Sequence, residues 1–306
     1  MNWIIKCLAF QTLSRFPGGR SFHHAAQNWL TGSSRQTESR LLGKIGQTLN
    51  YWRWLEANAP AGWLADASHL DLGSGWVPSV PMTLYALGTR RQYLVDIEAH
   101  MQPAAVVQTA ELFRRVAPKA GVTFQRIPDV PARQQTLRAT LEPFGMNYSA
   151  PYDELTEQIA GTVGFATATH MLLHLNRPVL LAVCRTVYRM LKPGGYFLAQ
   201  QHLRQLFDGL ESRTSPFYSL RYSDRFWENY VNSPMMSYNR LRARDYRQTL
   251  QEAGFEVECF EVEPGSPQDF AQLKRARIHP MFSGYTPDEL AARHLFFAAR
   301  KPCPTR

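Results

Sequence analysis

"HLDLGSGWVP" (residues 69–78) is the stretch on which the fold turns. A short apolar run ends at the acid Asp71, Gly73 and Gly75 stand one residue apart, and Trp76 and Pro78 follow. A strand that gives way to glycines and then to a helix makes a corner at which a residue without Cβ lets ligand atoms come close to the backbone. Helix-terminal amides behind such a corner favour a negatively charged group. Further along, "QYLVD" (residues 92–96) reads as a second strand closed by Asp96, where a carboxylate can accept both hydroxyls of a ribose. The two acids and the glycines between them point to an adenosine-containing cofactor.

Two cofactors compete for that geometry. A dinucleotide site usually wants a third glycine, which lets the helix pack closely and the pyrophosphate lie on its end; here that place is taken by Pro78. S-adenosylmethionine has no phosphate, only an ammonium, a carboxylate and a sulfonium, so an acid two residues ahead of the first glycine serves as its counter-charge.

Outward from this corner, strand and helix patterns alternate, the signature of a parallel sheet with crossover helices. A helix from about Ser79 closes at Gly88, and the next, after Pro103, carries Val106, Ala110, Phe113 and Ala117 on one face. "GTVGFATATHMLLHL" (161–175) reads as a buried strand and the loop beyond it; Asn176 caps a helix with Pro178 in its first turn. "KPGG" (192–195) reads as a tight turn into the strand "YFLAQQ", a helix ends at Gly254 before "FEVECF", and "HLFFAAR" (294–300) supplies a last strand. Upstream, Ile4, Ile5, Leu8, Thr12, Leu13 and Phe16 have helical spacing, and so do Leu41, Leu42, Ile45, Leu49, Trp52 and Leu55 up to Pro60.

The 306 residues, 44% hydrophobic, are enough for a large core. Cys7, Cys184, Cys259 and Cys303 form no C-x-x-C pair, so neither a metal site nor a disulfide framework is expected, and no metal is assigned. No apolar run reaches the roughly 18 residues of a spanning helix, and the opening residues read as mature protein, so the expected location is cytoplasmic. The net charge of +9 gathers at the two ends, a field that could hold the chain peripherally against an anionic membrane. No aromatic-basic nucleic-acid motif accompanies it, and no specific nucleic acid is expected as partner.

With these pieces in order, the sequence resembles the class I S-adenosylmethionine-dependent methyltransferases over residues 66–306. "DLGSG" resembles their glycine-rich loop, "YLVDI" their ribose-binding strand end, "MLLHL" the segment often written L-E-H, and "RMLKPGGYFLA" the turn into the fifth strand. "QEAGFEVE" and "HLFFAARK" resemble the last helix and strands. The resemblance implies an α/β, Rossmann-like, seven-stranded sheet with helices on both faces and the last strand antiparallel. Residues 1–65 then form an N-terminal helical extension or cap, and an aromatic insertion over about 203–245 builds an acceptor lid.

The same resemblance implies that Asp71, Gly73, Ser74 and Gly75 line the methionine part of S-adenosylmethionine and that Asp96 and Ile97 hold the ribose end. In "YSAPYD", which resembles the third strand and its acid, Asp153 takes the adenine amine, with Asp129 of "VTFQRIPD" as the rival. Thr167 and Thr169 face cofactor or acceptor. The acceptor is expected to be a small molecule, lipid or glycan methylated at oxygen, and His170, His174 or His202 could take its proton. Two departures stand out: "TVGF" replaces the usual acid entering the fourth strand, and Leu173 replaces the Glu of L-E-H. A module that binds a partner or an anionic surface without catalysis is the alternative in a different class.

Overall fold

The computed structural model describes residues 36–132, 136–151, 157–204, 215–233 and 237–303. The helix read over residues 4–16, Asp153, and parts of the aromatic insertion lie outside the described residues. In chain order the helices are α1 (Glu38–Asn58), α2 (Trp63–Asp66), α3 (Ser79–Leu87), α4 (Pro103–Val116), α5 (Leu137–Leu141), α6 (Arg177–Met190), α7 (Asp224–Tyr230), α8 (Ala243–Glu252), α9 (Pro267–Arg275) and α10 (Pro287–Ala291). The strands are β1 (His69–Leu72), β2 (Gln92–Val95), β3 (Met146–Ser149), β4 (Val163–Thr169), β5 (Leu191–His202), β6 (Glu256–Glu263) and β7 (His294–Arg300). They form one seven-stranded sheet in the order β3-β2-β1-β4-β5-β7-β6.

β1 is buried at all four positions because it lies between two parallel neighbours. Its register sets His69 against Gln92 and Phe165, and Asp71 against Leu94 and Thr167. β7 runs against β5: Gly194 N–H donates to Lys301 O (2.9 Å), Lys301 N–H to Gly195 O (2.8 Å), and Leu203 N–H to Arg293 O (2.9 Å). The sheet is therefore mixed, with the antiparallel last strand that the resemblance implies. One local expectation fails. "KPGG" is not a turn ahead of β5 but part of it, since pairing with Lys301 draws Gly194 and Gly195 into the strand, Gly194 at φ +74°.

The described residues fall into two compact units, one of residues 36–169, 186–199 and 299–303 and one of residues 170–185 and 200–298. In the first, Thr37 caps α1 through its hydroxyl, which accepts from Arg40 N–H (3.3 Å). The buried stripe Leu41, Ile45, Thr48, Leu49, Trp52 and Leu55 packs α1 onto α3 and α4. α3 closes at Gly88, as its sequence predicts, and the Val106, Ala110, Phe113 and Ala117 face of α4 is buried.

β3 is led in by Gly145, at φ +64°, whose carbonyl accepts from Gln92 N–H (2.8 Å) and where an added Cβ would fall 1.9 Å from the Arg90 carbonyl oxygen. Gly145→Ala is expected to lose more than about 2 kcal/mol of stability, from left-handed strain and backbone displacement together. Urea unfolding reads it; an unchanged midpoint would show that the approach of β3 to β2 is not as tight as described.

The second unit has its own apolar clusters. Phe217 and Leu220 pack with Leu273, Phe282, Leu290 and Ala291, and Trp227 and Val231 pack with Tyr218, Tyr222 and Phe226. Arg240 ties this region together from inside: its guanidinium donates to Ser219 O (2.9 Å), to Tyr222 O and to Asp224 Oδ1 (2.5 Å). Of the described aromatics of the insertion, Phe217 and Trp227 are buried, Phe217 against residues of α9 and α10, and Tyr230 is exposed.

Candidate functional site

The corner after β1 is built from backbone. Gly73 (φ +71°) and Gly75 (φ +63°) adopt left-handed conformations that an L-residue takes only with strain. Val95 O, at the end of β2, accepts from both Gly73 N–H (2.9 Å) and Ser74 N–H (3.2 Å), which pins the loop across the two strand ends. Asp96 completes the pin: Oδ2 accepts from Gly75 N–H (2.8 Å) and Oδ1 from Ile97 N–H (2.7 Å). A carboxylate offers about four acceptor sites. One backbone bond at each oxygen leaves each a lone pair for a ligand hydroxyl.

Asp71, Gly73, Ser74, Gly75 and Thr169 line a cavity of about 480 Å³, and Gln36, just ahead of α1, joins Arg40 and Lys44 of α1 in its wall. That volume lies within the range of small-molecule sites. Burial pushes the Asp71 carboxyl up to about 7, against the hydroxyls of Ser74 and Thr167 and the ammonium of Lys44, while the Asp96 charge adds to the rise. Burial holds the Lys44 ammonium below its ordinary value, and the charge of Asp71 works against that.

The start of α3 is poor in donors. Pro78 and Pro81 have no N–H, and Ser79 N–H is taken by Val77 O (2.9 Å). A pyrophosphate would want those amides. A ligand with a single carboxylate does not, and Arg40 and Lys44 supply cationic groups in the same cavity.

Thr169 meets the cavity and its hydroxyl lies 3.0 Å from Tyr51 Oη. Thr167 turns instead toward β1, its hydroxyl 3.1 Å from Asp71 Oδ1 and 2.8 Å from His69 Nε2. Ile97 follows Asp96 with 70% of its surface exposed. Asp129, the rival for adenine, is 98% exposed and paired with Arg114 at 3.2 Å.

Residues the sequence reading passed over also shape the site. Trp76 stacks on His100 (centroids 4.8 Å apart), and Tyr148 accepts from His100 N–H (3.2 Å) while donating to Glu98 O (3.1 Å). The loop after β2 is thereby fastened to both the glycine corner and β3. Arg40 and Lys44, one turn apart on α1, carried a signal: basic residues off the apolar stripe of a helix. His69 carried none, because only the register of β1 with β2 and β4 shows what it touches.

In the second unit His170 follows β4 with φ +57°, unusual for a residue with a side chain, and its N–H donates to Gln200 O (2.8 Å). Its ring stacks on His202 (3.9 Å, 9°), and His202 meets His294 (4.6 Å), whose Nδ1 lies 2.5 Å from Glu263 Oε2. His174 donates from Nδ1 to Ser237 O (2.8 Å), so in the neutral ring Nε2 is the basic nitrogen. Burial holds its pKa below the ordinary value. Leu173, in the place of the Glu of L-E-H, donates its N–H to Gln201 Oε1 (3.2 Å).

Residues 49–259 match a family described as a methyltransferase domain. The chain belongs to that methyltransferase family. No curated protein matches it significantly. Among solved structures, the methyltransferase is similar to an S-adenosylmethionine-dependent methyltransferase from Mesorhizobium loti, at 16% identity over 81% of this chain and 96% of that one, with a TM-score of 0.43. A second, from Methanosarcina mazei, is 16% identical over 78% of this chain and 94% of that one, also with a TM-score of 0.43. Among the described residues of the methyltransferase, no group of three or more His, Cys, Asp or Glu side chains is placed to hold a metal ion, and no helix is long and apolar enough to cross a membrane.

Proposed function

We propose that this chain transfers a methyl group from S-adenosylmethionine to a hydroxyl of a small-molecule, lipid or glycan acceptor. The observation that carries the reading is the pinned glycine corner, with Asp71 and Lys44 in one cavity and Asp96 bonded to Gly75 at its edge. Asp96 keeps lone pairs for the ribose hydroxyls, Asp71 faces an ammonium, Arg40 and Lys44 face a carboxylate, and no seat for a pyrophosphate competes. Asp153 is proposed for the adenine, and Ile97 beside Asp96 for the ribose end. Residues 1–65 and the insertion over about 203–245 are proposed to cover the acceptor.

When bound, the cofactor supplies a methyl carbon made electrophilic by its sulfonium. The work left to the protein is to hold the acceptor in line at near-attack distance and exclude water. An oxygen nucleophile also gains from losing its proton, typically by 10²–10⁴ in rate. His170 and His174 are proposed for that step, His174 through Nε2.

The test is release of S-adenosylhomocysteine with a panel of phenols and alcohols. Release is expected only with a hydroxylated acceptor present. With the acceptor so found, His170→Ala or His174→Ala should lower turnover about 100-fold at unchanged cofactor affinity. Full rates in both variants would remove the general base and leave positioning alone.

A further inference from the structure

We propose that His69, Thr167 and Gln92 are positioning residues that hold Asp71 as the neutral carboxylic acid until a cationic ligand displaces its proton. The inference deepens the cofactor reading above and rests on it for the identity of that ligand. It comes from counting hydrogens along one buried chain of contacts. Gln92 Nε2 donates to the Pro81 carbonyl (2.9 Å), which fixes the amide and turns its Oε1 toward His69 Nδ1 (3.0 Å). A carbonyl oxygen only accepts, so Nδ1 carries the hydrogen.

The His69 ring is fully buried and stacked on Phe165, and burial pushes its pKa down to about 3, so the ring is neutral and Nε2 is bare. The contact of 2.8 Å to Thr167 then requires the hydroxyl to donate to Nε2. That spends the only hydrogen Thr167 has. Its remaining contact, 3.1 Å to Asp71 Oδ1, has the geometry of a hydroxyl donating to a carboxylate; with that hydrogen already given to Nε2, it is a hydrogen bond only if Asp71 supplies the proton. The bonds run one way, from Asp71 through Thr167, His69 and Gln92 to the Pro81 carbonyl.

An ionised Asp71 breaks this order. Either two oxygen lone pairs face each other across Thr167 and Asp71, or the hydroxyl turns and leaves His69 Nε2 facing an oxygen lone pair, or His69 takes the proton and becomes an imidazolium, which its full burial against Phe165 disfavours. The charged groups around Asp71 are Lys44 from α1, which favours the carboxylate, and Asp96 after β2, which opposes it. A ligand ammonium against Asp71 adds the favourable charge that Lys44 alone does not, and the carboxyl proton leaves to solvent. Cofactor binding is therefore coupled to release of about one proton, and cofactor affinity falls up to tenfold per pH unit below the point at which Asp71 titrates.

The test is NMR of the free full-length protein followed by calorimetry. The side-chain carboxyl carbon of Asp71 should report the protonated form at pH 5.5 and titrate far above the ordinary carboxylate range, and His69 should show the Nδ1–H tautomer throughout. In His69→Phe the Thr167 hydroxyl is free to donate to the carboxylate, and the Asp71 titration should fall by a pH unit or more; a packing role alone would cost stability and leave the titration in place. Thr167→Ser should behave as the parent. If His69→Phe does not fold, the parent spectra decide by themselves: a carboxylate at pH 5.5, or an Nε2–H tautomer, overturns the proposal.

Calorimetry with S-adenosylmethionine in buffers of different ionisation heat should count about one proton released at pH 6 and no release at pH 9, where Asp71 is already ionised and the ligand amine, of ordinary pKa about 8, takes up a proton instead. An Asp71 that is protonated in the free protein, with no heat of cofactor binding, would leave the relay standing and remove the cofactor reading instead. Binding with no proton release at pH 6 overturns the coupling.

Discussion

An Asp96→Ala protein is expected to bind S-adenosylmethionine at least about 100-fold more weakly than the parent. Two ligand hydroxyls bonded to one carboxylate are worth about 3 kcal/mol together, which is about two decades of affinity. Asp96 also accepts the N–H groups of Gly75 and Ile97, so its loss frees the glycine corner as well as the ribose grip. The substitution should therefore weaken binding more than truncating a residue that only lines the cavity. Calorimetry on Asp96→Ala beside Arg40→Ala makes the comparison. Equal, small losses in both would mean that Asp96 shapes the loop without touching the ligand.

Asp71→Asn is expected to do two opposed things. The pKa of Asp71, about 7 against an ordinary 3.8, means that between those values the folded protein holds a proton that the unfolded chain has already released. Stability from this group is complete below the ordinary value and is lost as pH rises through the folded value, on the order of 4 kcal/mol in all. An amide of the same shape cannot ionise, and its N–H can still donate to Thr167. Asp71→Asn should therefore match the parent near pH 4 and exceed its stability at pH 8 by about 2–4 kcal/mol, read as the difference between urea midpoints at the two pH values. The same variant should bind S-adenosylmethionine at least tenfold more weakly, since the counter-charge for the ammonium is gone. A variant no more stable than the parent at pH 8 would show that the Asp71 carboxyl does not titrate above its ordinary value in the folded protein.

These expectations set function against stability at one residue, a pattern common in sites that must receive charge. The sequence announced part of it. Glycines one residue apart after an apolar run, and an acid closing the next strand, located the corner and Asp96 without any structure. Periodicity places α1 and α4, the Asn176 cap with Pro178 places α6, and "HLFFAAR" forms β7 from end to end. What could not be read depends on register and on long-range pairing. "KPGG" has the composition of a turn, yet Lys301, more than a hundred residues away, draws its glycines into β5. His69 looks like one polar residue at the start of a strand until its parallel neighbours bring Gln92 and Thr167 to the same face. The aromatics of the insertion could have been pocket walls or core, and three-dimensional packing alone shows Trp227 and Phe217 inside.

The central claim is that S-adenosylmethionine lodges on the corner after β1 with its sugar against Asp96. Hydrogen exchange of the full-length protein with and without S-adenosylmethionine tests it most directly. The account predicts added protection over residues 72–80 and 95–100, together with the wall over residues 36–47 at the start of α1. Protection confined to other segments, or none at saturating cofactor, would contradict it.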